Sequence, residues 1–147
     1  MMKYFSLDEL CKSDTAKKLG INNEPNESQR ANLVALIENV LDPLREMYRR
    51  PIMVSSGFRN YKTNAAVGGS KTSDHMSGCA VDIYTKGGVV ENRKLARLIA
   101  EKLCFSQLID EKNYSWVHVS YHPNGDNHHE ILRYNGKSYI KISIDKL

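Results

Sequence analysis

Residues 73–83 read Ser73-Asp74-His75-Met76-Ser77-Gly78-Cys79-Ala80-Val81-Asp82-Ile83. Cys79 to Tyr84 has the composition of a strand, and Lys86-Gly87-Gly88 breaks it. One residue in that apolar run carries a charge, Asp82. A carboxylate in such a strand needs compensation, from an arginine or from a metal cation. His75 lies seven residues upstream, at the end of a stretch from Arg59 to Gly78 rich in Gly, Ser, Asn, Thr and Lys. That stretch has little periodicity and reads as a loop, of the kind that carries function in a compact domain. Gly78 and Ala80 are small enough to let it fold back and bring His75 near Asp82.

Working outward, Ser6-Leu7-Asp8-Glu9 has capping-box spacing and opens a short helix. An irregular turn ending at Gly20 and a loop from Asn22 to Asn26 follow. Ser28 is the expected cap of a long helix whose apolar stripe is Leu33, Leu36, Ile37, Val40, Leu41, Leu44 and Met47. Pro43 kinks that helix or starts a second one. Pro51 to Ser56 reads as a short strand and Asn92 to Leu103 as a helix. Phe105 to Glu111 and Trp116 to Tyr121 read as paired strands. Glu130 to Tyr134 and Lys137 to Ile142 flank Asn135-Gly136, a type I′ hairpin signal. The fold class is therefore α+β, with N-terminal helices packed on a mainly antiparallel sheet.

Trp116-Val117-His118-Val119-Ser120 places a histidine mid-strand. With Val117 and Val119 facing the core, His118 shares the opposite face with Trp116 and Ser120. His75, Asp82 and His118 then form a two-histidine, one-carboxylate set. With one position open for water, that suits catalytic zinc. Taken singly, each has a plainer reading. A strand histidine is often a hydrogen-bonded structural residue, and a strand aspartate often pairs with arginine.

The chain has 147 residues, 41% hydrophobic and 26% charged. This suits one globular domain over 1–147 and excludes a disordered tail, a collagenous chain and a coiled coil. No apolar run approaches the ~20 residues of a membrane helix, so no membrane insertion is expected. Asp8 and Glu9 come too early for a signal peptide, so synthesis in the cytoplasm is expected. Cys11, Cys79 and Cys104 form no CxxC pair and read as free thiols. The net charge of +4 is a weak pointer to an anionic partner. A nucleic-acid reading would rest on Lys62, Lys71, Arg93, Lys94 and Arg97, which form no dense stripe. The expected protein binds no nucleic acid and is a monomer.

The string Ser73-x-His75-x-x-Gly78-x-Ala80-x-Asp82, followed by Trp116-x-His118, resembles the zinc D-Ala-D-Ala peptidase family. That family includes carboxypeptidases, the dipeptidases of vancomycin resistance and phage endolysins. The likeness is strongest to its short, phage-associated branch. It takes in Phe5-Ser6-Leu7-Asp8-Glu9-Leu10, Ser56-Gly57-Phe58-Arg59, Val67-Gly68-Gly69-Ser70 and Phe105-Ser106-Gln107-Leu108-Ile109, and spans roughly positions 4 to 121. The resemblance implies a Hedgehog/D,D-peptidase-like fold, with Zn2+ held by His75, Asp82 and His118. It matches Arg59 to the arginine that steadies the substrate carbonyl oxygen and Ser73 to a serine near the substrate. From the residues alone, Arg59 also reads as a loop arginine capping carbonyls, and Ser73 as a turn residue. Trp116 reads either as a wall of the pocket or as a core residue.

One position departs from the family pattern. Many members place an acidic general base three residues before the last histidine, and here that residue is Ser115. Asp110 and Glu111 lie nearby. A hairpin with Lys112 to Ser115 as its loop sets Glu111 opposite Trp116 and Ile109 opposite His118. Opposed residues share a face, so Glu111 falls on the His118 side and Asp110 on the other. Glu111 is the expected base; otherwise it is a solvated hairpin end.

The resemblance implies hydrolysis of a peptide bond near a D-amino acid in peptidoglycan stem peptides, by a carboxypeptidase or a murein endopeptidase. Release to the cell wall would then depend on a phage holin; otherwise the peptidase acts in the cytoplasm. The rival reading is a zinc-bearing, non-catalytic cell-wall binding module, favoured by the missing acid at Ser115.

Overall fold

The computed structural model describes residues 2–147. Helices come first: α1 (Leu7–Cys11), α2 (Asp14–Leu19), α3 (Glu27–Leu36), a π-helical segment (Ile37–Leu41) and α4 (Asp42–Tyr48). Ser6 caps α1 by accepting from the Glu9 amide at 3.2 Å. The expected turn before Gly20 is instead α2. Ser13 caps its start and Gly20, in the left-handed region at φ 69°, ends it. Six residues are too few for an apolar period to show.

The cap of α3 is Asn26 rather than Ser28. Asn26 accepts from the Gln29 amide and Gln29 reaches back to the Asn26 amide, both at 2.8 Å. Pro43 lies in the first turn of α4. A proline ring crowds the carbonyl four residues earlier, here that of Asn39, and the wider π turn makes room for it. Leu33, Leu36, Ile37, Val40, Leu41 and Leu44 are fully buried, as the stripe requires. Met47, expected among them, is 37% exposed at its edge.

The remaining elements are β1 (Met53–Ser56), α5 (Tyr61–Ala66), a 3-10 turn (Asp74–Ser77), β2 (Ala80–Tyr84), α6 (Gly88–Lys102), β3 (Gln107–Glu111), β4 (Trp116–Ser120), β5 (Glu130–Tyr134), β6 (Tyr139–Lys141) and a final 3-10 turn (Ile144–Lys146). The stretch expected as loop thus holds α5, capped by Asn60, and the 3-10 turn, capped by Ser73. Helix α6 begins four residues before Asn92, directly after Gly87. One sheet runs β1-β2-β4-β3-β5-β6, antiparallel except between β3 and β5. Tyr134 pairs with Tyr139, so four residues join β5 to β6 in place of a two-residue type I′ turn. The Asn135 carboxamide shapes that loop, accepting from the amides of Lys137 and Ser138.

Val81, Ile83, Val117, Val119 and Leu108 are fully buried with the helical stripe and with Leu95, Ala96 and Ile99 of α6. The sheet thus has a core face under the helices and an outer face free for chemistry. Among the described residues, no helix is long and apolar enough to cross a membrane. Cys11, Cys79 and Cys104 are free thiols.

Asn92 ties α6 to the sheet. Its buried carboxamide accepts from the Thr85 amide at 2.7 Å and donates to the Tyr114 carbonyl at 2.7 Å. Asn92→Ala orphans both backbone groups, at about 1–3 kcal/mol for each buried group left unpaired. Urea denaturation should show a loss of roughly 2–6 kcal/mol.

Candidate active site

Strands β2 and β4 pair so that Asp82 lies opposite His118. Their neighbours Val81, Ile83, Val117 and Val119 occupy the core face, which turns Asp82 and His118 outward together. His118 Nδ1 lies 2.9 Å from Asp82 Oδ1, and His75 Nε2 lies 3.4 Å from Asp82 Oδ2.

His75 arrives from the 3-10 turn. Its Nδ1 donates to the Gly57 carbonyl at 2.7 Å. A carbonyl only accepts, so the proton sits on Nδ1 and the Nε2 lone pair faces Asp82. The turn itself is pinned from several sides. Ser73 Oγ accepts from the His75 amide at 3.2 Å, and the Arg59 amide donates to the His75 carbonyl at 3.1 Å. Gln29 and Asn32 of α3 donate to the carbonyls of Met76 and Ser77. Two glycines permit this approach. A Cβ on Gly57 would collide with the Leu10 carbonyl. Gly78, at φ 80°, would bring one to 2.6 Å from the Gln29 carbonyl oxygen.

His75, Asp82 and His118 each offer a ligand atom, all within 4.8 Å of one another. Tetrahedral donors at the usual zinc distances stand roughly 3.3 Å apart. Each histidine meets its own Asp82 oxygen, at 2.9 and 3.4 Å, and the convergence of two imidazoles and a carboxylate is a donor chemistry that fits a zinc ion. Burial pushes the Asp82 carboxyl up, but the hydrogen bond from His118 leads the opposing effects that outweigh it. The group is held well below the usual carboxylate range and stays an anion.

The three donors line a cleft of about 600 Å³, together with Arg59, Ser73, Glu111, Trp116 and Tyr139. Every site residue expected from the sequence therefore reaches one cleft. Glu111 pairs with Trp116 and Ile109 with His118, in the register that hairpin parity requires. Asp110 points to the other face, where it accepts from Arg133 Nε at 2.7 Å and from the Tyr114 amide. Glu111 is buried, and burial raises its pKa, opposed by a hydrogen bond from Tyr139 and the His118 charge. Arg59 Nε is buried without a partner, and desolvation lowers its pKa while Asp82 opposes the shift. Ser73 spends its hydroxyl on the turn. Trp116 keeps an unpartnered Nε1, with Lys112 Nζ 5.6 Å from its ring centre.

Sequence reasoning missed Tyr139. Its hydroxyl donates to Glu111, at 2.9 Å from Oε1 and 3.2 Å from Oε2. The hairpin was legible, but its parallel docking on β3 was not, and that docking is what carries Tyr139 to the cleft.

Convergent nitrogen and oxygen donors at the floor of an open cleft, beside a carboxylate, are the architecture of a metallopeptidase. The profile of the family Peptidase M15 matches residues 3–120, and the chain belongs to that family, whose members are zinc-dependent peptidases related to D-Ala-D-Ala peptidases. No curated protein matches the chain.

Elemental analysis of the purified protein should find one zinc per chain. Replacing Asp82 and His118 together with alanine should remove it.

Proposed function

We propose that this protein is a zinc peptidase that hydrolyses a peptide bond beside a D-amino acid in peptidoglycan stem peptides. The observation that carries the reading is the placement of Glu111 and Arg59 in the same cleft as the His75, Asp82 and His118 donors. The peptidoglycan substrate rests on the resemblance of the Ser73 to Asp82 string to the D-Ala-D-Ala peptidases. The likeness to their phage-associated branch favours release with the help of a holin.

His75, Asp82 and His118 would hold a zinc ion, which would supply Lewis acidity of the kind that lowers the pKa of a water from ~15.7 to ~7. Glu111 takes the proton of the attacking water and returns it to the leaving amine. Arg59, a cation with a donor left free, faces the negative charge that develops on the scissile carbonyl oxygen. Trp116 and the β3–β4 end wall the cleft on the Glu111 side. His75 keeps its proton on Nδ1 through the Gly57 carbonyl and so keeps its other nitrogen for the metal.

Glu111→Gln should retain zinc and lose on the order of 10²–10⁴ in rate, the usual worth of a positioned acid–base group. Full activity in that variant would overturn the assignment, and a wall-binding module would have no activity to lose. Asp110→Asn should leave turnover intact while lowering the melting temperature, since Asp110 is committed to Arg133 and Tyr114.

Arg59→Ala should lower kcat with zinc content unchanged, because the hydrogen bond from the Arg59 amide to the His75 carbonyl does not need the side chain. Mass spectrometry of digested peptidoglycan identifies the bond. Released D-alanine marks a carboxypeptidase, and new amino termini mark an endopeptidase.

A further inference from the structure

We infer that Tyr139 is a positioning residue that holds the Glu111 carboxylate in its working orientation. The inference rests on the proposed role of Glu111 as general base. Residue 139 lies beyond the residues matched by the family profile, on the last strand of the sheet.

Register explains how it gets there. Strand β5 runs parallel to β3, pairing Gln107 with Glu130 and Ile109 with Leu132. Paired residues share a face, so Glu130, Leu132 and Tyr134 join Glu111 on the outer side. Strand β6 then pairs Tyr139 with Tyr134 and Lys141 with Leu132, which puts Tyr139 on that side as well. Its hydroxyl reaches back over β5 to the carboxylate.

The bond spans both carboxylate oxygens, at 2.9 and 3.2 Å. One phenolic proton shared between them fixes the rotation of the carboxylate and leaves its other lone pairs for a water. Tyr139 is 51% exposed, so core packing does not account for its placement. Its ring is steadied by Tyr134, with centroids 5.0 Å apart. Burial of the hydroxyl and the Glu111 charge push its pKa up to about 12, so it remains a donor throughout the neutral range. The other charges that act on Glu111 are His118 on β4, Asp82 on β2 and its own neighbour Asp110. Among the described residues of β6, Tyr139 is the one that hydrogen-bonds the carboxylate, and so it sets the orientation from that side.

The test is a double-mutant cycle with soluble peptidoglycan stem-peptide fragments as substrate. Tyr139→Phe should lower kcat about tenfold, the order expected for a lost hydrogen bond to a charged group, with KM within about twofold. Zinc content and melting temperature should match the parent, since an exposed strand tyrosine loses one oxygen. Added to Glu111→Gln, the same change should cost nothing further. An equal loss in both backgrounds, or a loss carried by KM, would assign Tyr139 to substrate contact and overturn the inference. So would a Tyr139→Phe variant with parental kcat. A fully active Glu111→Gln would overturn the base assignment itself, whatever Tyr139 does.

Discussion

Asp82 carries a carboxylate into a strand whose neighbours Val81 and Ile83 are fully buried. An anion at that depth must be compensated, and no arginine or lysine pairs with it among the described residues. Its partners are two imidazoles, His118 from the adjacent strand and His75 from the 3-10 turn. One carboxylate and two imidazoles converging in this way form a donor set that suits a divalent cation. Much of the fold serves to bring these groups together. The β2–β4 register sets Asp82 against His118, and α3 anchors the turn that delivers His75.

The same sheet sorts two adjacent acids into different work. Asp110 and Glu111 are consecutive, so the pleat sends them to opposite faces. Asp110 meets Arg133 and the Tyr114 amide and becomes a structural anion under the β3–β4 connection. Glu111 meets the cleft, where burial raises its pKa. A hairpin loop one residue longer would exchange them. The observed loop from Lys112 to Ser115 holds three consecutive residues at positive φ, from Lys112 to Tyr114, so the register is maintained by an unusual backbone path.

What could be read from the sequence follows the range of each signal. Strand alternation around His118 is a local period of two, and it placed that residue on the face opposite Val117 and Val119; the β2–β4 register that sets Asp82 beside it is not local. Parity across a short hairpin is also local, and it assigned Glu111. Caps were read less well, because Asn26, Ser13 and Asn60 start helices too close to competing Ser and Asn residues for spacing alone to choose. The π segment before Pro43 needed the packed stripe to define it. Asn135-Gly136 marked a turn correctly, yet the Asn135 side chain closes a four-residue loop rather than a two-residue one. That difference moves the partner of Tyr134 from Lys137 to Tyr139. It decides which residue overlooks the cleft.

The parallel contact between β3 and β5 is the least local feature of the fold, and it changes what the cleft is. Residues 3–120 end at the last residue of β4 and already contain all three metal donors, Arg59 and Glu111. A sheet stopping at β3 would leave Glu111 on an open edge, its carboxylate hydrated on one side and free to rotate. Strands β5 and β6 cover that edge and replace water with a phenol of fixed direction. The proposed role of Glu111 as a base facing one water gains from the loss of those alternatives. Asp82 and His118 sit on central strands and His75 on the turn beside them, whereas the Glu111 end of the cleft is completed by a hairpin at the sheet margin. Variation in that hairpin can therefore alter the surroundings of Glu111 while leaving His75, Asp82 and His118 untouched.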